Sequence, residues 1–247
     1  MERQKYIVIL ILFIFSGLGA MATYKTEIYK AYISNNMNEW KKVMDRMNLE
    51  TKRDNDFLLE LLNYQYGYIG WCVGNKENEQ AKKYLSLAEK NIEILEKQSF
   101  ELSILNAYKS AFYGYRVGLN KLQAPFIGPK SVESAKKAIE LDKNNPYGYI
   151  QIGNSEFYMP SVFGGSKTVA LENFKKAENL MERNPEKIKN DWNYLSLLAM
   201  IVMSCKELKQ YELAKYYCEK ALKTEPEFLW VKLDLYPEIK NLIKQKK

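Results

Sequence analysis

The chain has 247 residues, 47% of them hydrophobic, with 37 Lys and Arg against 30 Asp and Glu and not one histidine. That size suffices for one elongated domain with a sizeable core, and the missing imidazole excludes Ser-His-Asp and Cys-His catalysis and removes the commonest metal ligand. The net charge of +7 is spread as Lys beside Glu, as in Glu89-Lys90 and Glu219-Lys220, which reads as a solvated helix surface and not as a nucleic-acid stripe.

Residues 1–22 read as a signal peptide. Arg3 and Lys5 form a basic start, Ile7 to Phe15 an apolar run, and Ala20-Met21-Ala22 a small-residue cleavage site. The mature chain is then expected to begin at Thr23 and to be exported, periplasmic or secreted. The apolar run is short for a span of about 20 residues, so contact with a membrane is expected only through this segment before its removal.

Thr23 to Asn48 reads as a helical hairpin broken at Asn35-Asn36. Phe57 to Val73 is a longer helix ended by Gly74-Asn75, and Gln80 to Leu95 is its partner, with Ala81, Leu85, Ala88 and Ile92 on one face. Ser99 to Leu119 is the next helix. A loop from Ala124 to Pro129 precedes a helix from Ser131 to Leu141 with Ala135 and Ala138 inward. Pro146 then starts a helix carrying Gly153, the loop Pro160 to Ser166 follows, and Ala170, Phe174 and Ala177 mark the return helix. Arg183-Asn184-Pro185 turns the chain into Trp192 to Leu208 and then Tyr211 to Lys223, and Glu225-Pro226 is read as the start of a last helix. No period-two run stands out, so the fold is expected to be all-α.

Cys72, Cys205 and Cys218 are an odd set with apolar or aromatic neighbours. Each is expected to act as a small buried hydrophobe, while a disulfide between Cys205 and Cys218, on consecutive helices, stays open. No Cys-x2-Cys pair exists to hold zinc. Gly164-Gly165-Ser166-Lys167 echoes a phosphate loop, but lacks its first Gly and follows no strand. No carboxylate pair stands apart from ordinary surface charge, so neither an enzyme nor a cofactor or metal site is expected.

The segments SAKKAIELDKNNP, ENFKKAENLMERNP and YYCEKALKTEP align on Ala138, Ala177 and Ala221 and on Pro146, Pro185 and Pro226. This pattern resembles the tetratricopeptide repeat, whose second helix carries A-x3-F-x2-A before a Pro. Ala170, Phe174 and Ala177 match it fully. Ala214, Cys218 and Ala221 match with Cys for the aromatic, and Ala81, Leu85 and Ala88 with Leu. The spacings of 39 from Ala138 to Ala177 and 44 from Ala177 to Ala221 exceed the usual repeat of about 34. The loops Pro125-Phe126-Ile127-Gly128 and Pro160 to Gly165 are similar to those of exported bacterial tetratricopeptide-like proteins and of the T component of tripartite ATP-independent periplasmic transporters.

The resemblance implies an α-solenoid of stacked antiparallel helix pairs over residues 23–247, with the first helix of each pair lining a concave groove. It places Tyr66, Tyr108, Tyr115, Tyr147, Asn154 and Tyr158 in that groove, although aromatics at helical spacing are as readily core. It implies a non-enzymatic exported scaffold that binds a peptide or protein partner, with no nucleic acid. The alternative is a solute-binding or accessory component of a periplasmic uptake system. An open channel favours the first and a closed pocket with convergent polar groups the second. In the loops, Phe126, Phe163, Gly164 and Gly165 are singled out: the glycines as permitting positive φ with Phe163 plugging the gap between hairpins, or else the loop as a ligand contact. Gly153 is expected to lie against Ala170 and Phe174, where Ala would be tolerated and Leu would not.

Overall fold

The structure, a computed structural model, describes residues 23–246. The expected signal peptide and its cleavage site fall outside that range. The described residues are all-α, a solenoid of stacked antiparallel helix pairs without a strand. Helix α1 covers residues 23–33 and pairs with α2 (Met37–Leu49). The next pairs are α3 (Asn55–Gly74) with α4 (Asn78–Lys97), and α5 (Leu102–Leu119) with α6 (Ala124–Leu141). Then come α7 (Pro146–Tyr158) with α8 (Lys167–Glu182), a short α9 (Pro185–Ile188), and α10 (Trp192–Glu207) with α11 (Tyr211–Thr224). A π-helical turn, Trp230–Leu235, leads into α12 (Tyr236–Gln245).

The helices begin where short polar side chains can take an orphan N–H. Asp54 accepts from Phe57, Asn145 from Tyr147, Ser166 from Val169 and Asp191 from Asn193. Small residues then let the paired helices close up. Ala81, Ala88, Ala138, Ala170, Ala177, Ala214 and Ala221 are all fully buried, as is Phe174. Gly153 packs face-on to that ring: a Cβ built there would lie 2.5 Å from Phe174 Cε1 and 2.6 Å from Cδ1. The register expected for Gly153 is therefore right, but the tolerance of Ala is not. A methyl there would force the fully buried ring to shift within a close-packed core.

Three local readings change. Residues 124–129 are helix, not loop. Pro125 sits in the first turn of α6, where a missing N–H costs nothing, and Pro129 lies further inside. Pro226 does not open the last helix, because Phe228, buried at 1% exposure, anchors an irregular segment first. Phe163 does not plug the gap between hairpins either: it is 76% exposed and Phe126 77%. The loop is shaped by Gly164, at φ +96, and by Gly165, where any Cβ would collide with the Met159 carbonyl.

All three thiols are buried and free. Burial raises Cys72 and Cys205 to about 11 and Cys218 to about 12, so all remain protonated, inert packing groups.

One feature departs from an open solenoid: the two ends meet. The ring of Trp192, at the start of α10, lies 4.9 Å from Trp40, 5.6 Å from Tyr32 and 6.0 Å from Tyr66. Phe228 lies 5.3 Å from Tyr32, and the Tyr29 hydroxyl donates to Glu225 at 2.9 Å. Gly67 makes this closure sterically feasible, since a Cβ there would lie 2.6 Å from Trp192 Cη2 and 2.8 Å from Trp40 Cζ2.

Candidate functional site

The first helices of the pairs turn a common face inward, and tyrosines cover it. The Tyr66 ring is the hub: 5.4 Å from Tyr108, 6.1 Å from Tyr115 in a stacked geometry, and 6.0 Å from Trp192. Tyr108 in turn lies 6.0 Å from Tyr147. Hydrogen bonds fix the rings. Tyr115 donates to the Tyr66 carbonyl at 3.1 Å, Gln151 Nε2 to the Tyr66 hydroxyl at 3.2 Å, and Asn154 to Gln151 at 3.1 Å. Tyr108 donates to Asn63 at 3.1 Å. Gly70 gives Tyr115 its place, for a Cβ there would lie 2.7 Å from the Tyr115 hydroxyl.

The structure thus brings together Tyr66, Tyr108, Tyr115, Tyr147 and Asn154. Tyr108 is buried beneath the others at 2% exposure, while Tyr158 stands at the rim, 68% exposed, near Met200. Phe126, in the first turn of α6, and Phe163, in the turn after α7, lie outside this face.

Tyr66, Tyr115 and Tyr147 each keep part of their surface open, yet burial pushes their phenols above the ordinary tyrosine range. Two carboxyls lie within electrostatic reach of the same rings. Burial pushes Asp191 up, only partly offset by hydrogen bonds from Asn193. Burial also pushes Glu60 up, against a hydrogen bond from Tyr64. Both feel the Lys25 ammonium, and Asp191 acts electrostatically on Tyr29, Tyr32, Tyr64, Tyr108 and Tyr147. The face therefore has an acidic end near the start of α10 and an aromatic end at Tyr115 and Tyr158.

Sequence reasoning missed Trp192, Tyr32, Gln151, Glu60 and Asp191. Helix periodicity alone could have flagged Gln151, one turn from Tyr147 and next to Asn154 in space. Nothing in the sequence signals Trp192, because its role depends on the two ends meeting. Its indole Nε1 is buried without a hydrogen-bond partner among the described residues, an unsatisfied donor worth about 1–3 kcal/mol.

Two shallow depressions of about 430 and 210 Å³ lie elsewhere, along the outer faces of α1 and α2, lined by Thr23, Glu27 and Lys30 among others. Neither contains a ring of the concave face. Among the described residues no group of His, Cys, Asp and Glu is arranged to hold a metal, and no helix is long and apolar enough to cross a membrane.

No family model matches the chain, and no curated protein matches it. Among solved structures it is similar to the HusA haemophore from Porphyromonas gingivalis, with a TM-score of 0.62 and 18% identity over 77% of this chain and 93% of that one. At that identity the likeness is one of fold.

Proposed function

We propose that this is a non-enzymatic binding protein whose concave face takes a flat, largely apolar small molecule, with a tetrapyrrole as the ligand class to test first. The observation that carries this reading is the closure at Trp192. A peptide laid along several repeats needs an open channel, whereas here α1 to α3 meet the start of α10 across the groove. What is left is a short face of packed rings with a few convergent polar groups, the composition of a small-molecule site. Tyr66, Tyr115 and Tyr147 supply ring surface, and Gln151, Asn154 and the Tyr66 hydroxyl supply orientation. The haemophore fold neighbour supports the choice of ligand class. With no histidine in the chain, holding would rest on stacking and tyrosine, not on imidazole.

The protein would then act outside the cytoplasm, exported by its N-terminal segment, as an accessory component of uptake. N-terminal sequencing of the exported form is expected to start at Thr23. A peptide or protein partner is a second reading, favoured by Glu60 and Asp191, two under-solvated carboxyls suited to an amine or basic side chain. Titration of haem into the chain beginning at Thr23, followed by visible absorption and tryptophan quenching, decides between them. Saturable micromolar binding, weakened about ten-fold in Tyr66→Ala, is expected. Absence of binding, with capture of a basic peptide instead, would favour the second reading.

A further inference from the structure

The edge of the solenoid where α5 and α7 end carries an exposed apolar rim with a consistent charge. Helices α3, α5 and α7 run side by side and finish together. Gly70 meets Tyr115, Gly118 meets Val73, and the Tyr115 hydroxyl donates to the Tyr66 carbonyl, while α7 packs on α5 and its last residue, Tyr158, acts electrostatically on Tyr115. The connections after α5 and after α7 therefore project from the same edge. They carry Leu122 at 85% exposure, Val162 at 83%, Phe126 at 77% and Phe163 at 76%. These are four of the five most exposed large apolar side chains in the described residues, and they sit in the 3-10 turn and first turn of α6 that follow α5 and in the turn that follows α7. Scattered exposed apolar residues are ordinary; a concentrated set marks an interaction surface.

Charge indicates what it meets. From Asn120 to Val132 there is no acidic residue but there are Lys121 and Lys130, both exposed. From Met159 to Leu171 there is again none, with one lysine, Lys167. The first of these runs extends back through α5 to Leu102, and similar runs occur at 61–76, 143–155 and 192–206, so it is the exposure of Lys121 and Lys130 beside the apolar rim that matters. Lys167 is held inward, over the Phe157 ring at 4.1 Å and bonded to the Phe157 carbonyl, which leaves Lys121 and Lys130 as the outward cations. Tyr158, two-thirds exposed, borders the rim beneath them.

We propose that this edge docks on an anionic lipid surface. Leu122, Phe126, Val162 and Phe163 enter the boundary between headgroups and acyl chains, and Lys121 and Lys130 face the lipid phosphates. The N-terminal apolar run is a poor occupant for the rim. The chain enters α1 at the opposite edge, where the Tyr24 ring lies 6.3 Å from Phe57 in the first turn of α3, and α3 with its 20 residues is about 30 Å long. This inference is independent of the ligand proposed for the concave face.

The test is sedimentation with vesicles of phosphatidylcholine with and without phosphatidylglycerol. It uses the chain from Thr23, which retains every residue of the core described above. Wild type is expected to bind the anionic vesicles and to be released by high salt. Leu122→Ser, Phe126→Ser and Phe163→Ser combined should weaken binding about ten-fold or more with an unchanged melting temperature, because all three side chains are exposed. Lys121→Gln with Lys130→Gln should remove the preference for phosphatidylglycerol. Failure of wild type to bind anionic vesicles, or full binding by the triple variant, overturns the proposal. Crosslinking from position 122 to an envelope protein, without binding to protein-free vesicles, overturns it in favour of a protein partner.

Discussion

Gly153 in α7 lies face-on to Phe174 in α8, with room for a hydrogen and not for a methyl. Helix propensity alone would favour Ala at 153 by about 1 kcal/mol, but overpacking a buried ring costs about 1–3 kcal/mol. Gly153→Ala is therefore expected to melt below wild type, and Gly153→Leu well below both. Melting curves of the three proteins check this. An Ala variant as stable as wild type would mean that Phe174 can move, and with it the α7–α8 spacing.

Gly67 plays the matching part at the closure. A methyl at 67 would press on both Trp192 and Trp40. Gly67→Ala is expected to lose about 1–3 kcal/mol and to shift tryptophan fluorescence to the red as Trp192 becomes hydrated. Ligand affinity should fall with it. Fluorescence and denaturant titration on the same sample separate the two effects.

Asp191 gives a pH signature. Its folded pKa is raised, chiefly by burial, so the fold disfavours the charged form and gains stability as pH falls through that value. Asn caps a helix as well as Asp does. Asp191→Asn is expected to melt above wild type at pH 7, the difference closing as pH falls. Equal melting at both ends of the range would mean that the carboxylate is well solvated.

Lys220 gives the opposite sign. Its ammonium lies 2.6 Å from Glu178 and 2.5 Å from Glu182, and the Glu178 side chain is only 4% exposed. Burial pushes Glu182 up, but hydrogen bonds from Lys220 and Tyr194 outweigh it and hold its pKa below 4.5. That contribution is present at neutral pH and is lost as pH falls through the lowered value. Lys220→Met strands a buried carboxylate and is expected to cost about 3 kcal/mol at pH 7, shrinking in acid. Chemical denaturation across pH measures it.

Phe163 is expected to behave as a surface residue. Phe163→Ala should change stability by no more than about 0.5 kcal/mol, read from thermal melting. A larger loss would mean that the ring is covered in solution.

The helix pairs were legible in the sequence because each depends on local signals. Alanines at three- and four-residue spacing, capping Asp and Asn, and prolines at helix starts report on a few neighbouring residues. The tyrosines of the concave face were legible in part, because the repeat dictates which helix lines the inside. Their depth was not: Tyr108 and Tyr147 are 39 residues apart, the spacing of Ala138 and Ala177, yet one is buried and the other half-open. The Pro-rich stretch 124–129 misled because proline breaks a helix interior but suits its first turn. Trp192, Asp191 and Phe228 act through elements far away in the chain, and no local pattern encodes that.

The meeting of Tyr29 and Tyr32 with Glu225 and Phe228 has a consequence for how the chain acquires its structure. In an open repeat array each unit leans only on its neighbours, and folding can start anywhere and spread. Here the first helix completes its surroundings only after nearly two hundred further residues have arrived. Long-range closure of this kind slows folding and couples the termini. A chain synthesised or threaded across a membrane from its N-terminus would carry α1 unfinished until the end. Loss of the last twenty residues would then loosen the first hairpin before it disturbed the middle ones.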